Sequence, residues 1–158
     1  MRSNTPTVAY VALGANLGDR AGNIQTAIDS LRVTPNITVT AVSSFIETPA
    51  EGGPPGSPPY LNAAAALQTT LTARELLNCL LEIEHSLGRT RRVKWEPRPI
   101  DLDLLLFGDH IVSSADLIVP HPLMHERRFV LKPLAEIAPE AVHPTLQMTV
   151  SGLLQNLG

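Results

Sequence analysis

Two carboxylates, Asp101 and Asp103, stand two positions apart in the run Arg98-Pro99-Ile100-Asp101-Leu102-Asp103-Leu104-Leu105-Leu106-Phe107. Successive side chains of a β-strand point to opposite faces. As a strand, the run therefore places Ile100, Leu102, Leu104 and Leu106 on one apolar face and Asp101, Asp103, Leu105 and Phe107 on the other. The two carboxylates face the same way, with Cα atoms roughly 6–7 Å apart. Like charges that close repel, and an unpaired carboxylate is costly to bury, so the pair invites a cation. Divalent metal ions are one candidate: two Mg2+ ions about 3.5–4 Å apart can be bridged by such carboxylates.

The segment just upstream, Arg89-Thr90-Arg91-Arg92-Val93-Lys94-Trp95-Glu96-Pro97-Arg98, supplies the other candidate. It holds five of the twelve Lys and Arg residues, in a chain of net charge −3. Basic groups beside a divalent-metal site suit a polyphosphate substrate. A plainer reading of the same residues is a solvated charged loop leading into a strand with two polar residues at its exposed end. A lone Asp-x-Asp is a weak signal, but a basic loop, a Trp and Arg-x-x-Asp-x-Asp in succession are much more specific.

The elements that must position these groups are legible in outline. With 158 residues, 44% of them hydrophobic and 17% charged, residues 1–158 are expected to form one soluble domain with a real core. No apolar run approaches the roughly 20 residues of a membrane span. The apolar stretch after Thr7 is too short for a secretory signal. One cysteine, Cys79, excludes an internal disulfide and a cysteine-cluster metal site and suits a reducing cytoplasm. The mild negative charge gives no reason to expect nucleic-acid binding.

Val8–Leu13 reads as a buried strand, followed by the turn Gly14-Ala15-Asn16-Leu17-Gly18-Asp19, which is read as mainly structural. Asp19 is placed to cap a helix whose apolar face is Ala21, Ile24, Ala27, Ile28 and Leu31, ending before Pro35. Residues 37–46 read as a long strand. Residues 49–59 carry five prolines and three glycines, a loop longer than a turn needs and so expected to be a lid. The alanine-rich segment from Tyr60 to Thr69 suits helix or strand; as a strand it puts Tyr60 and Asn62 on one face, where a ring and an amide could hold a flat heterocycle. Thr72-Ala73-Arg74-Glu75 is a capping box opening a strong helix that stops at Gly88. Short strands are expected at 110–112 and 117–119. A helix is expected over 126–137, kinked or cut short by Pro133, and a terminal one over 149–157, with Leu157 docking on the core. The prolines on both sides of His121 argue against a helical zinc pair with His125. Strand, helix, strand, strand, helix, strand is the order of a ferredoxin-like α+β sheet, here with helices packed on it and long active-site loops.

These pieces resemble the 6-hydroxymethyl-7,8-dihydropterin pyrophosphokinase family of folate biosynthesis, over roughly residues 8–155. The carriers are Leu13–Asp19, Ser43-Ser44-Phe45 with Thr48-Pro49, Tyr60–Ala64, Gly88–Arg91, Trp95–Leu105, Val119–Pro122 and Arg127-Arg128-Phe129. The resemblance implies a ferredoxin-like fold and a single pyrophosphokinase domain. It also implies transfer of the β,γ-pyrophosphoryl group of ATP to the pterin's hydroxymethyl oxygen with release of AMP. Apart from the resemblance, the chain is expected to act as a cytoplasmic monomer that binds neither nucleic acid nor membrane. It implies that Asp101 and Asp103 hold two Mg2+ ions, Asp101 also meeting the attacking hydroxyl. Arg89, Arg91 and Arg98 match residues that neutralise the triphosphate, Arg89 and Arg98 with a catalytic role, and Arg127 and His121 match further phosphate contacts. Glu84 and the backbone near Leu104 match the nucleoside side. Tyr60 and Phe129 match the aromatic pair around the pterin, Asn62 with backbone groups near Thr48 and Pro49 its hydrogen-bonding edge, and Trp95 a loop aromatic meeting both substrates. The chain departs from the family pattern at Glu96, commonly Gly, and at Pro99, commonly Thr. A metal-dependent nucleotidyltransferase would show Gly-Ser opening a helix about ten residues before the Asp pair, and a non-catalytic regulatory module would need no paired carboxylates beside arginines.

Overall fold

The computed structural model describes residues 5–16, 18–48, 59–88 and 100–157. Strands β1 (Thr7–Ala15), β2 (Ile37–Val42), β3 (Ile46–Thr48), β4 (Tyr60–Thr69) and β5 (Asp101–Phe107) form one antiparallel sheet in the order β2-β4-β1-β5, with β3 paired to β4 beyond the end of β2. Helices α1 (Arg20–Val33) and α2 (Ala73–Ser86) pack on one face, burying Ile24, Ile28, Leu31, Leu76, Leu80 and Ile83 against Val11, Leu13, Leu67 and Leu102. Helices α3 (Arg128–Ile137) and α4 (Val150–Asn156) pack on the other, where Leu131, Leu134 and Leu153 meet Ala64, Leu105 and Leu106. Two small hairpins, β6 (Val112–Ser113) with β7 (Ile118–Val119) and β8 (Val142–His143) with β9 (Met148–Thr149), and a 3-10 turn at Met124–Glu126 complete the described residues. Among the described residues no helix is long and apolar enough to cross a membrane.

Local signals set the helix ends. Asp19 accepts the Gly22 N–H and Thr72 the Glu75 N–H, while the Glu75 carboxylate accepts the Thr72 N–H. Such caps contribute about 1 kcal/mol each. Gly88 lies at φ 97°, a left-handed backbone that suits a residue without Cβ just past a helix. The alanine-rich segment is a strand because it is the inner strand between β1 and β2 with β3, and layers cover both of its faces. Ala63 to Ala66 are buried there, and tertiary burial overrides their helical propensity.

Four expectations need correction. The alternation of β5 holds only as far as Leu104: Val11 pairs with Leu104 and Tyr10 with Leu106, so Leu105 is an extra residue, a β-bulge. Beyond it the faces exchange, Leu106 joining Leu105 under α3 and Phe107 joining the layer under α1 and α2. The strand expected over 37–46 is interrupted. Ser43 donates its N–H to the Ala64 carbonyl and accepts the Ala64 N–H on its own Oγ, a side-chain substitute for a ladder bond. Pro133 does not end α3; the helix loses one backbone donor and buries the ring. Leu157 is left 39% exposed, because α4 docks through Val150 and Leu153. The expected lid (through residue 58) and the basic run from Arg89 to Arg98 lie outside the described residues.

Candidate active site

The sheet register assembles the site. Gly14 of β1 pairs with Asp101 on one side and Asn62 on the other, and Ala12 pairs with Asp103 and Ala64. Residues opposite one another across a sheet share a face, so Asp101, Asp103 and Asn62 emerge together on the α3 side. Tyr60 pairs with Thr48 one step beyond Asn62. Helix α3 begins just after Arg127, which presents its guanidinium 5.6 Å from the centre of the Phe129 ring, within cation–π range.

A cavity of about 240 Å³ opens between these elements, with Thr48, Tyr60, Asn62, Asp101, Asp103, Arg127 and Phe129 on its walls and Ala12, Gly14 and Ala63 as its floor. Seven residues that the resemblance assigns to the site line this cavity together. That volume lies below the roughly 300–1,000 Å³ of sites for drug-sized ligands, and suits a small bicycle rather than a whole nucleotide. Asn62 is only 6% exposed and donates from Nδ2 to Thr48 Oγ1 at 2.7 Å, which fixes the amide's orientation toward the cavity.

A second cavity of about 300 Å³ lies past Asp103, walled by Leu77, Leu104, Asp116, Ile118, His121 and Pro122 among others. Asp103 therefore borders both cavities. His121 Nδ1 accepts the Leu123 N–H, which leaves the proton of a neutral ring on Nε2. Burial pushes the His121 pKa down; the Asp103 charge opposes that and the Arg127 charge adds to it. The ring is then a neutral hydrogen-bond donor near physiological pH.

Asp101 is half-buried and Asp103 exposed. A cation is thus invited by their mutual repulsion on one face, and burial adds little to that demand. Among the described residues no group of three or more His, Cys, Asp and Glu side chains could hold a metal ion. Two carboxylates fit a hard divalent ion such as Mg2+, which keeps several waters and takes its remaining ligands from phosphate oxygens.

Glu84 lines neither cavity. It is 4% exposed and its Oε2 accepts the backbone N–H of Leu102, the residue between the two aspartates, at 2.7 Å. Pro49, Arg89, Arg91, Trp95 and Arg98 lie outside the described residues. The turn expected from Gly14 starts later: Gly14 and Ala15 lie inside β1, so the cavity gains a strand glycine, and the structure also adds the Asp116 segment, for which no local signal exists. Arg74 forks onto both Asp116 oxygens at 2.8 Å and holds that segment to α2.

The model of the 7,8-dihydro-6-hydroxymethylpterin-pyrophosphokinase family matches residues 10–139. The chain belongs to that family. A Bacillus subtilis relative named 2-amino-4-hydroxy-6-hydroxymethyldihydropteridine pyrophosphokinase is 48% identical over 130 residues, covering 82% of this chain and 77% of its own. One of the same name from Pseudomonas aeruginosa is 44% identical over 132 residues, covering 83% and 80%. Among solved structures, an HPPK-DHPS chain in complex with substrates superposes with a TM-score of 0.76 at 13% identity, over 97% of this chain and 43% of that one. Plasmodium falciparum HPPK-DHPS gives 0.77 at 14% identity, over 99% and 44%. At those identities the likeness is one of fold, mixed helix and antiparallel sheet, and this chain spans less than half of either longer chain. The family's residues 10–139 take in both cavities and every described candidate residue.

Proposed function

We propose that this chain transfers the β,γ-pyrophosphoryl group of ATP to the hydroxymethyl group of 6-hydroxymethyl-7,8-dihydropterin, releasing AMP, as a step of folate biosynthesis. The observation that carries this is the position of Asp103 on the wall between two cavities. One cavity has the ring and amide chemistry for a pterin, and the other, beside a neutral His121, takes part of a nucleotide.

In the first cavity Tyr60 and Phe129 enclose the flat ring, Asn62 reads its amide edge, and Thr48 and Pro49 complete that edge. Asp101 reaches the hydroxymethyl group. In the second, the backbone near Leu104 and the Leu77–Ile118 walls take the nucleoside, while His121, Arg127, Arg89, Arg91 and Arg98 carry the phosphates and Trp95 closes on both substrates. Glu84 acts on the nucleotide side through Leu102. Asp101 and Asp103 would hold two Mg2+ ions, which supply charge stabilisation at the β-phosphorus and acidify the attacking hydroxyl when bound. The bond formed joins the hydroxymethyl oxygen to the β-phosphorus. The bond broken is the bridge from the β-phosphorus to the oxygen that leaves with AMP, and the hydroxyl proton passes to water. In-line positioning of the two substrates and electrostatic stabilisation together supply nearly all of such catalysis. A ferredoxin-like arrangement of one pyrophosphokinase domain over residues 1–158, action as a monomer, a cytoplasmic setting and no nucleic-acid or membrane partner complete the proposal.

Incubation with ATP, Mg2+ and 6-hydroxymethyl-7,8-dihydropterin tests it by the nucleotide formed. Pterin-dependent AMP with a diphosphorylated pterin is expected. ADP would mean transfer of a single phosphoryl group and would overturn the assignment.

A further inference from the structure

Gly14 stands at the centre of the row Asp101–Gly14–Asn62, between the proposed metal carboxylates and the amide. A glycine inside a strand weakens it and marks either an unusual backbone or a close approach. The backbone is not the reason here. The described glycines with positive φ are Gly18, Gly88 and Gly108, and Gly14 is not among them, so a residue with a side chain could take its conformation.

Space is the reason. A Cβ at Gly14 would lie 3.2 Å from Asn62 Oδ1 and 3.8 Å from Tyr60 Cδ1, on the cavity side of the sheet. Asn62 cannot yield freely, because its Nδ2 is tied to Thr48 Oγ1 at 2.7 Å and the residue is almost fully enclosed. An added methyl group would therefore both raise the cavity floor and press on the group that orients the ring.

We infer that Gly14 is a specificity-determining residue of the acceptor site. Its missing side chain leaves the bare strip of strand over which a flat fused heterocycle reaches Asn62 at one end and Asp101 at the other. The inference rests on the pterin reading of the first cavity. It assigns no part to Gly14 at the nucleotide cavity, whose walls it does not join.

Gly14→Ala tests it, with wild type in parallel. The measurements are equilibrium binding of 6-hydroxymethylpterin, equilibrium binding of ATP with Mg2+, and Tm. Pterin affinity should fall at least about tenfold, the scale of an overpacked site. ATP affinity should be unchanged, and Tm should fall by a few degrees at most, the cost of pressing on Asn62. Pterin binding equal to wild type would overturn the inference, as would a parallel fall in both affinities and Tm, which a merely structural glycine would give. Wild type that binds ATP but no pterin would remove the reading of the cavity itself, and the inference with it.

Discussion

The Glu84 carboxylate and the Leu102 backbone N–H are joined by a 2.7 Å hydrogen bond. Among the described residues β5 is the edge strand beside β1, so a bond to the residue between Asp101 and Asp103 satisfies an edge donor and fixes the strand segment that carries both carboxylates. A buried donor left without its acceptor costs about 1–3 kcal/mol. Glu84→Ala should lose stability on that scale and turnover with it, whereas Glu84→Gln keeps an acceptor oxygen and should retain most of both. Thermal unfolding and steady-state kinetics check this. A large rise in ATP KM in Glu84→Gln alone would mean that Glu84 meets the nucleotide directly.

Arg20 and Arg74 should separate the two substrates. Arg20 donates from Nη2 to the Glu47 carboxylate at 2.7 Å and from Nη1 to the Pro59 carbonyl at 2.9 Å, the residues next to Thr48 and Tyr60. Arg74 holds Asp116 on the wall of the second cavity. Arg20→Ala should raise the pterin KM several-fold with little change for ATP, and Arg74→Ala the reverse. Exposed pairs of this kind contribute roughly 0–1 kcal/mol to stability, so neither variant should unfold. Equal effects on both substrates would count against this division of the site.

His143 should make stability fall in mild acid. It is 5% exposed, its Nδ1 accepts the Leu146 N–H at 3.1 Å, and its ring meets that of His125 at 6.1 Å. Burial holds its pKa below the ordinary 6.5, and the nearby His125 charge lowers it further. Below that ordinary value the unfolded chain binds the proton more readily than the folded one. The His143 contribution is therefore whole above about pH 6.5 and is lost as pH falls through the lower folded pKa. Tm measured from neutral pH down to about pH 5 should decline less steeply in His143→Asn than in wild type. Parallel slopes would contradict the assignment.

What the sequence discloses about this fold is what is local. The Thr72–Glu75 box and the Asp19 cap depend on residues three apart, and both stand where expected. The alternation that brings Asp101 and Asp103 to one face holds because the strand is regular there. It fails at Leu105, where the extra residue is defined only by the pairing with Tyr10 and Val11. The run from Ala63 to Ala66 is ambiguous for the same reason: its strand state is fixed by neighbours distant in the chain. Tyr60, Asn62 and Phe129 are identified by their types and by resemblance, while Gly14 and Asp116 border the cavities through sheet register and the Arg74 fork alone.

The central claim is that Asp101 and Asp103, the second on the wall between the two cavities, carry the transfer step. Single-turnover AMP formation in Asp101→Asn and Asp103→Asn, with both substrates bound to folded protein, tests it most directly. The account predicts that pterin still binds and that the rate falls by about 10³-fold or more, several kcal/mol of transition-state stabilisation. A rate within about tenfold of wild type, roughly 1.4 kcal/mol, in either folded variant would contradict it.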